Sequence, residues 1–181
     1  MIESDTWTIA PPDISEGSED LAQALAIRKE AGIKAYLAAP NPQDEETIRA
    51  AFEKDESDIL ILIRGEVYQA LCLKIGEEVV GMCVWDEMKK DRIELHFLYI
   101  APGEQKKGKG ETMGYGSLLL DAALKKSMSD DKDVYLITHS AEDFYKEKFG
   151  FELTGKKTTD PGGIDVEMKL QAVKRERAFR T

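Results

Sequence analysis

The chain has 181 residues, 42% of them apolar and 33% charged, with a formal net charge of −10. The length suits a single domain, and the acidic balance argues against nucleic acid as a partner, because phosphate backbones need basic surfaces. No run approaches the roughly 18 apolar residues of a membrane span, and the acidic start Met1-Ile2-Glu3-Ser4-Asp5 lacks the apolar core of a secretory signal, so a cytoplasmic protein away from membranes is expected.

Residues 1–60 carry 14 acids against five bases. A surface of that sign favours cationic ligands. The two cysteines, Cys72 and Cys83, lie in apolar runs and are expected as reduced, buried thiols. Their spacing and neighbours do not suit a zinc site, and no metal is expected.

In chain order, Trp7 to Ala10 reads as a short strand ended by Pro11-Pro12, and Asp13 to Asp20 as an acidic loop. Leu21 to Leu37 has a helical pattern, with a possible interruption at Gly32. Asn41-Pro42 looks like an N-cap followed by a first-turn proline. Asp44, Glu45 and Glu46 then sit in the first turn, where the helix dipole favours anions. Ile48, Ala51 and Phe52 give this second helix a buried face. Ile59 to Ile63 is an apolar run of open type.

Val67 to Ile75 and Val79 to Trp85 read as strands joined by the tight loop Gly76-Glu77-Glu78. Asp86 to Asp91 is a polar turn, and Arg92 to Ile100 the next strand. Ser117 to Lys126 is a helix. Val134 to Ile137 is a wholly apolar strand, which suggests burial on both faces. Ser140 and Asp143 form a capping box that opens a helix to Phe149, ended by Gly150. Phe151 to Thr154 and Ile164 to Leu170 close the chain as strands. A βαβ pattern added to an antiparallel meander predicts an α/β fold: a mixed, mostly antiparallel sheet of six or seven strands flanked by helices. One domain spanning 1–181 is expected, with residues 172–181 as a basic tail.

Gly108, Gly110, Gly114 and Gly116 crowd the span between the strand ending at Ile100 and the helix at Ser117. A helix start carries N–H groups without internal partners and the positive end of the dipole, so it suits a phosphate. Glycine permits close approach. Two phosphate motifs fail here. Gly103 to Lys109 fits the start of a P-loop, but Gly110 stands where Ser or Thr should bind magnesium. Neither glycine pair is followed by the third glycine of a dinucleotide fingerprint.

Leu98-Tyr99-Ile100-Ala101-Pro102 followed by Gln105-Lys106-Lys107-Gly108-Lys109-Gly110 resembles the Gcn5-related N-acetyltransferase (GNAT) family. The stretch Ser140 to Phe151, with Phe144-Tyr145 and Gly150-Phe151, is similar to that family's second motif. The resemblance implies an acetyl-CoA-dependent transfer of an acetyl group to a primary amine. It also implies a GNAT-like fold, and a chain that acts as monomer or homodimer. Two registers are open for the pyrophosphate loop. One is Gln105 to Gly110. The other is Glu111-Thr112-Met113-Gly114-Tyr115-Gly116, leading into Ser117, and it is preferred because the phosphate-binding N–H groups belong to the helix start. It leaves Lys106, Lys107 and Lys109 in an inserted basic excursion and Glu111 beside a polyanion.

By the same resemblance, Leu98, Tyr99 and Ile100 offer backbone groups to the acyl-pantetheine arm. Tyr145 is the general acid for the leaving thiolate, and Thr138 stands where the family often has an asparagine that binds pantetheine. Glu94 matches a strand glutamate used as general base in one branch. A strand period of two would put Glu94, His96, Leu98 and Ile100 on one face, which makes His96 a rival base; ordered water is a third option. The other readings of the chain are a non-catalytic CoA-binding regulatory module and a P-loop-like nucleotide binder. The acidic N-terminal part suggests a cationic acceptor.

Overall fold

The structure, a computed structural model, describes residues 2–3, 7–15, 18–37, 44–104, 114–126, 131–139, 141–160 and 163–172. In chain order the elements are β1 (Ile2–Glu3), β2 (Thr8–Ala10), α1 (Glu19–Leu37), α2 (Glu45–Arg64), β3 (Tyr68–Ile75) and β4 (Glu78–Asp86). There follow β5 (Arg92–Ile100), α3 (Tyr115–Lys126), β6 (Asp133–Thr138), α4 (Glu142–Phe149), β7 (Glu152–Asp160) and β8 (Gly163–Leu170). Among the described residues they form one sheet in the order β1-β2-β3-β4-β5-β6-β8-β7. It is the expected mixed sheet, seven strands from β2 onward plus the two-residue β1. β5 and β6 run parallel, joined through α3, and the other described pairings are antiparallel.

Gly32 does not interrupt α1. A Cβ there would lie 2.2 Å from Phe52 Cζ, so the glycine is where the ring of α2 presses against α1. The cap of α2 is Asp44 rather than Asn41, and residues 41–43 lie outside the described ones. Asp44 Oδ1 accepts the Thr47 N–H at 2.8 Å, filling an otherwise unpartnered donor. The open run Ile59 to Ile63 is the last part of α2, with Ile59 and Ile63 buried one helical turn apart.

Two apolar layers flank the sheet. On one face, Leu21, Ala24, Leu25, Ile59 and Ile63 of α1 and α2 meet Ala70, Cys72, Met82 and Val84. On the other, Leu119, Leu120, Ala123 and Leu124 of α3 and Tyr145 of α4 join Leu71, Leu73, Cys83, Trp85, Leu95 and Leu136. Both cysteines are free and buried, and burial raises both thiol pKa values, that of Cys72 to about 12.

Three strand readings need correction. Asp86 is not in a turn; it ends β4, buried, opposite Glu94. β6 is not covered on both faces. Val134 and Leu136 are buried but Ile137 is 62% exposed, since α1 and α2 pack chiefly on β3, β4 and β5. β7 runs on past Thr154 to Asp160, through Gly155 at φ +88°, a backbone angle that glycine supplies without strain.

Candidate active site

The site begins with a break in the sheet. β5 pairs with β6 through Arg92↔Asp133, Ile93↔Val134, Glu94↔Tyr135 and Leu95↔Leu136. There the ladder ends, although β5 runs on to Ile100 and β6 to Thr138. The two parallel strands therefore open from one another at their C-terminal ends. The Ala101 N–H donates to the Val80 carbonyl at 2.8 Å. Alternation along an antiparallel ladder then turns the N–H and C=O of Tyr99 toward β4, and those of Leu98 and Ile100 toward the opening. Of the three residues expected to offer backbone groups, Leu98 and Ile100 are thus aimed at the gap.

The same strand carries a bulge. Val84 pairs with Phe97 and Trp85 with Leu95, so His96 is an extra residue in β5 with no counterpart in β4. That residue shifts the alternation, and the expected shared face of Glu94, His96, Leu98 and Ile100 is not formed. Leu98 and Ile100 belong with the α3 layer. Phe97 belongs with the α1–α2 layer, and His96 stacks there on Tyr68.

On the α3 face, the helix starts at Tyr115, two residues earlier than its pattern suggests, with Gly114 before it. The N–H groups of Ser117 and Leu118 both turn back on the Gly114 carbonyl, at 2.9 and 3.0 Å. Among the described residues, a Cβ at Gly114 would meet nothing within 4 Å. Gly116 sits closer, where a Cβ would touch Ile100 Cγ1 and Phe144 Cζ at 3.7 and 3.8 Å. Helix start, strand end and α4 thereby converge. The first turns of α1, α2 and α4 all carry two acids, whereas that of α3 carries none. Within the described residues, no acid of α3's own first turn offsets the positive end of the dipole here. Gly108, Gly110, Glu111, Thr112 and Met113 lie outside the described residues, as do Gln105, Lys106, Lys107 and Lys109.

Tyr145 is buried in α4, its ring edge-on to Phe144 and Phe151 at 5.0 and 5.7 Å. Burial pushes its phenol well above the usual range, with smaller contributions from Cys83 and Tyr99 beside it. It carries its proton at neutral pH. Thr138 ends β6, and its hydroxyl oxygen accepts the Ala141 N–H at 3.2 Å. That N–H belongs to the residue before the helix, not to the Asp143 donor that a Ser140 capping box would satisfy. Ser140 itself lies outside the described residues, and the helix is preceded by Ala141, which makes no side-chain cap. The Thr138 hydroxyl keeps its own proton to donate. Gly150 closes α4 at φ +74°, returning its N–H to Lys146 O and that of Phe151 to Tyr145 O.

The other face holds the charged groups. Glu94 Oε1 is paired with Lys89 Nζ and with an Arg92 guanidinium nitrogen, each at 2.6 Å. His96 Nε2 lies 2.6 Å from Asp86 Oδ2, and Asp86 Oδ1 accepts the Met88 N–H at 2.9 Å. Arg28 of α1 pairs with Asp55 of α2, with its guanidinium over the Phe52 and Phe97 rings at 5.5 and 4.9 Å. Asp86, Tyr68 and Arg28 do not stand out in the sequence. The only trace of Asp86 in the sequence is that it shares one strand parity with Met82 and Val84, too little to separate it from a turn residue.

The sequence model of the Acetyltransferase (GNAT) family matches residues 33–151, well over half of the chain. The chain belongs to that family. The match covers the opened strand pair, the α3 start and α4 of this GNAT-family chain. Solved structures agree in fold. The PaiA N-acetyltransferase of Thermoplasma acidophilum, in complex with coenzyme A, superposes with a TM-score of 0.68 at 19% identity, covering 92% of this chain and 99% of that one. Spermidine N-acetyltransferase from Vibrio cholerae, in complex with CoA and spermine, gives 0.64 at 17%, covering 96% and 99%. Aminoglycoside 6'-acetyltransferase type Ii gives 0.64 at 16%, covering 91% and 97%. No curated protein matches the chain by sequence. No helix among the described residues of this GNAT protein is long and apolar enough to cross a membrane.

Proposed function

We propose that the protein is an N-acetyltransferase that uses acetyl-CoA to acetylate a primary amine directly, within a ternary complex. The observation that carries this is the opened β5–β6 pair beside an acid-free helix start. Leu98 and Ile100 turn backbone groups into the gap, and Gly114 to Ser117 form the start of α3 at its mouth. That combination suits an extended amide-containing arm ending in a pyrophosphate. Acetyl-CoA supplies the activated thioester. Leu98 and Ile100 orient the arm, the Thr138 hydroxyl donates to it, and the helix start holds its phosphates.

Tyr145, protonated at neutral pH as a phenol ordinarily is, is the donor for the departing sulfur. The base comes from the Glu94 to His96 stretch of β5. The preference for a cationic acceptor rests on the acids of residues 1–60, among them Asp55, joined on that face by Asp86 and Glu94. The solved spermidine N-acetyltransferase, whose complex contains spermine, is in keeping with it.

Calorimetry with CoA, acetyl-CoA and ATP-Mg, followed by thiol release across a panel of polyamines, aminoglycosides and lysine peptides, tests the reading. CoA binding with thiol release for at least one amine supports it. CoA binding without release for any amine points to a regulatory module instead. ATP-Mg binding without CoA affinity overturns both.

A further inference from the structure

We propose that His96 is the general base of this transfer and that Asp86 is the positioning residue that makes it one. The inference rests on the acetyl-transfer reading above and names the group that reading leaves open. Position comes first. His96 is the bulged residue directly after Leu95↔Leu136, the last rung before β5 and β6 part. It therefore stands at the apex of the gap. Leu98, whose backbone faces that gap, is two residues further, about 7 Å along an extended strand. Across a distance of that order the proton moves through ordered water between the amine and the ring, not directly.

Asp86 then selects the ring's protonation pattern. Its carboxylate accepts from Nε2–H at 2.6 Å, while its other oxygen is held by the Met88 N–H. With the proton on Nε2, the lone pair is on Nδ1. The Asp86 side chain is only 6% exposed and that of His96 is 28% exposed, so the fixed member is buried and the acting member reaches solvent. Tyr68 stacks on the imidazole with ring centroids 4.3 Å apart and 25° between planes, which fixes the ring's rotation. When Nδ1 takes a proton, Asp86 balances the imidazolium. Glu94 is placed differently, because its carboxylate is already held by Lys89 and Arg92.

Among the described residues, Asp86 of β4 and Tyr68 of β3 face the ring. Burial raises the pKa of the Tyr68 hydroxyl, and Asp86, Asp55 of α2 and Glu94 of β5 raise it further. In the step itself, an N–H bond of the incoming ammonium breaks as Nδ1–H forms. The freed lone pair makes the new N–C bond, and the C–S electron pair leaves on sulfur. The sulfur takes the Tyr145 proton. The second amine proton restores Tyr145 through solvent, and His96 releases its own proton to water, so that amide, thiol and one proton are produced.

Nitrogen-15 spectra of the His96 ring in the wild-type protein test the dyad without any acceptor. The neutral ring is expected as the Nε2–H form, and in Asp86→Asn that preference weakens or reverses; an Nδ1–H ring in the wild type overturns the proposal. Kinetics use whichever amine of the panel gives thiol release. His96→Gln is expected to lower kcat by about 10²-fold at pH 7 with the amine KM within about threefold, and Asp86→Asn by about 10- to 100-fold. Both deficits shrink as pH rises, since free amine then forms without the base. Glu94→Gln costs less than either. A pH-independent deficit, or a larger one in Glu94→Gln, overturns the assignment. A wild type that binds CoA yet releases no thiol with any amine removes the transfer reading itself, which the wild-type control distinguishes from loss in the variants alone.

Discussion

Gly81 and Ile100 face each other across the β4–β5 ladder so closely that a Cβ on Gly81 would lie 2.5 Å from Ile100 Cδ1 and 2.9 Å from the Tyr99 carbonyl oxygen. They are a pair without mutual hydrogen bonds, the kind in which backbones approach most closely. The side chain of Ile100 can turn away, but the Tyr99 carbonyl belongs to the ladder and cannot. Any larger residue at position 81 must push β5 off β4 and into the gap that Leu98 and Ile100 line. Gly81→Val is expected to cost about 1–3 kcal/mol of stability and to weaken CoA binding. Urea denaturation and calorimetry on the folded variant check this; unchanged CoA affinity would mean that Gly81 does not set the gap.

The start of α3 allows stability and binding to be driven in opposite directions. Among the described residues nothing lies within 4 Å of a Cβ on Gly114, which is not among the glycines at positive φ, so an acidic residue fits there. As an N-cap, aspartate gains a few tenths of a kcal/mol over glycine, and its charge suits the helix dipole. The same charge repels a pyrophosphate. Gly114→Asp should therefore melt at the same or a slightly higher temperature while CoA affinity falls tenfold or more. A variant that binds CoA as the wild type does would move the phosphates away from this helix start.

Much of this architecture is legible in residue order. β5 runs from Arg92 to Ile100 as its pattern indicates, and Gly150 ends α4 where the pattern stops. The features that were not legible are set by partners distant in sequence. The bulge at His96 exists because β4 pairs Trp85 with Leu95 and Val84 with Phe97, and nothing in Glu-Leu-His-Phe-Leu marks the slip. It moves Leu98 and Ile100 to one face and leaves His96 on the other. Asp86 looks like a turn residue until the hairpin brings His96 to it. Gly32 reads as a breaker until Phe52 arrives from α2. Ile137 reads as core until the extent of α1 and α2 is known.

Tyr145 separates chemistry from binding. Its ring packs against Phe144 and Phe151 in the α3-side layer, and phenylalanine keeps that packing. Tyr145→Phe should retain CoA affinity within about threefold and lower kcat by about 10²-fold, the usual scale for one proton donor. Stopped-flow thiol release and calorimetry on the same preparation read the two effects. An unchanged turnover with CoA binding intact would remove Tyr145 as the acid.

The buried thiols predict an alkaline limit to stability. Burial raises the Cys72 pKa from 9.0 to about 12 and raises that of Cys83 as well. In the unfolded chain both ionise near pH 8.5 to 9, so between that range and the folded values the native state binds more protons than the unfolded state. The stability these groups contribute is fully present below the unfolded pKa and is lost as pH rises toward the folded one. Each fully ionising thiol steepens that loss by about 1.4 kcal/mol per pH unit. Urea denaturation at intervals from pH 7.5 to 10.5 should show stability falling above pH 9. Cys72→Ala should start lower, because it leaves a cavity, yet fall less steeply. Parallel slopes for the two proteins would mean that other groups, such as the buried tyrosines, carry the alkaline loss.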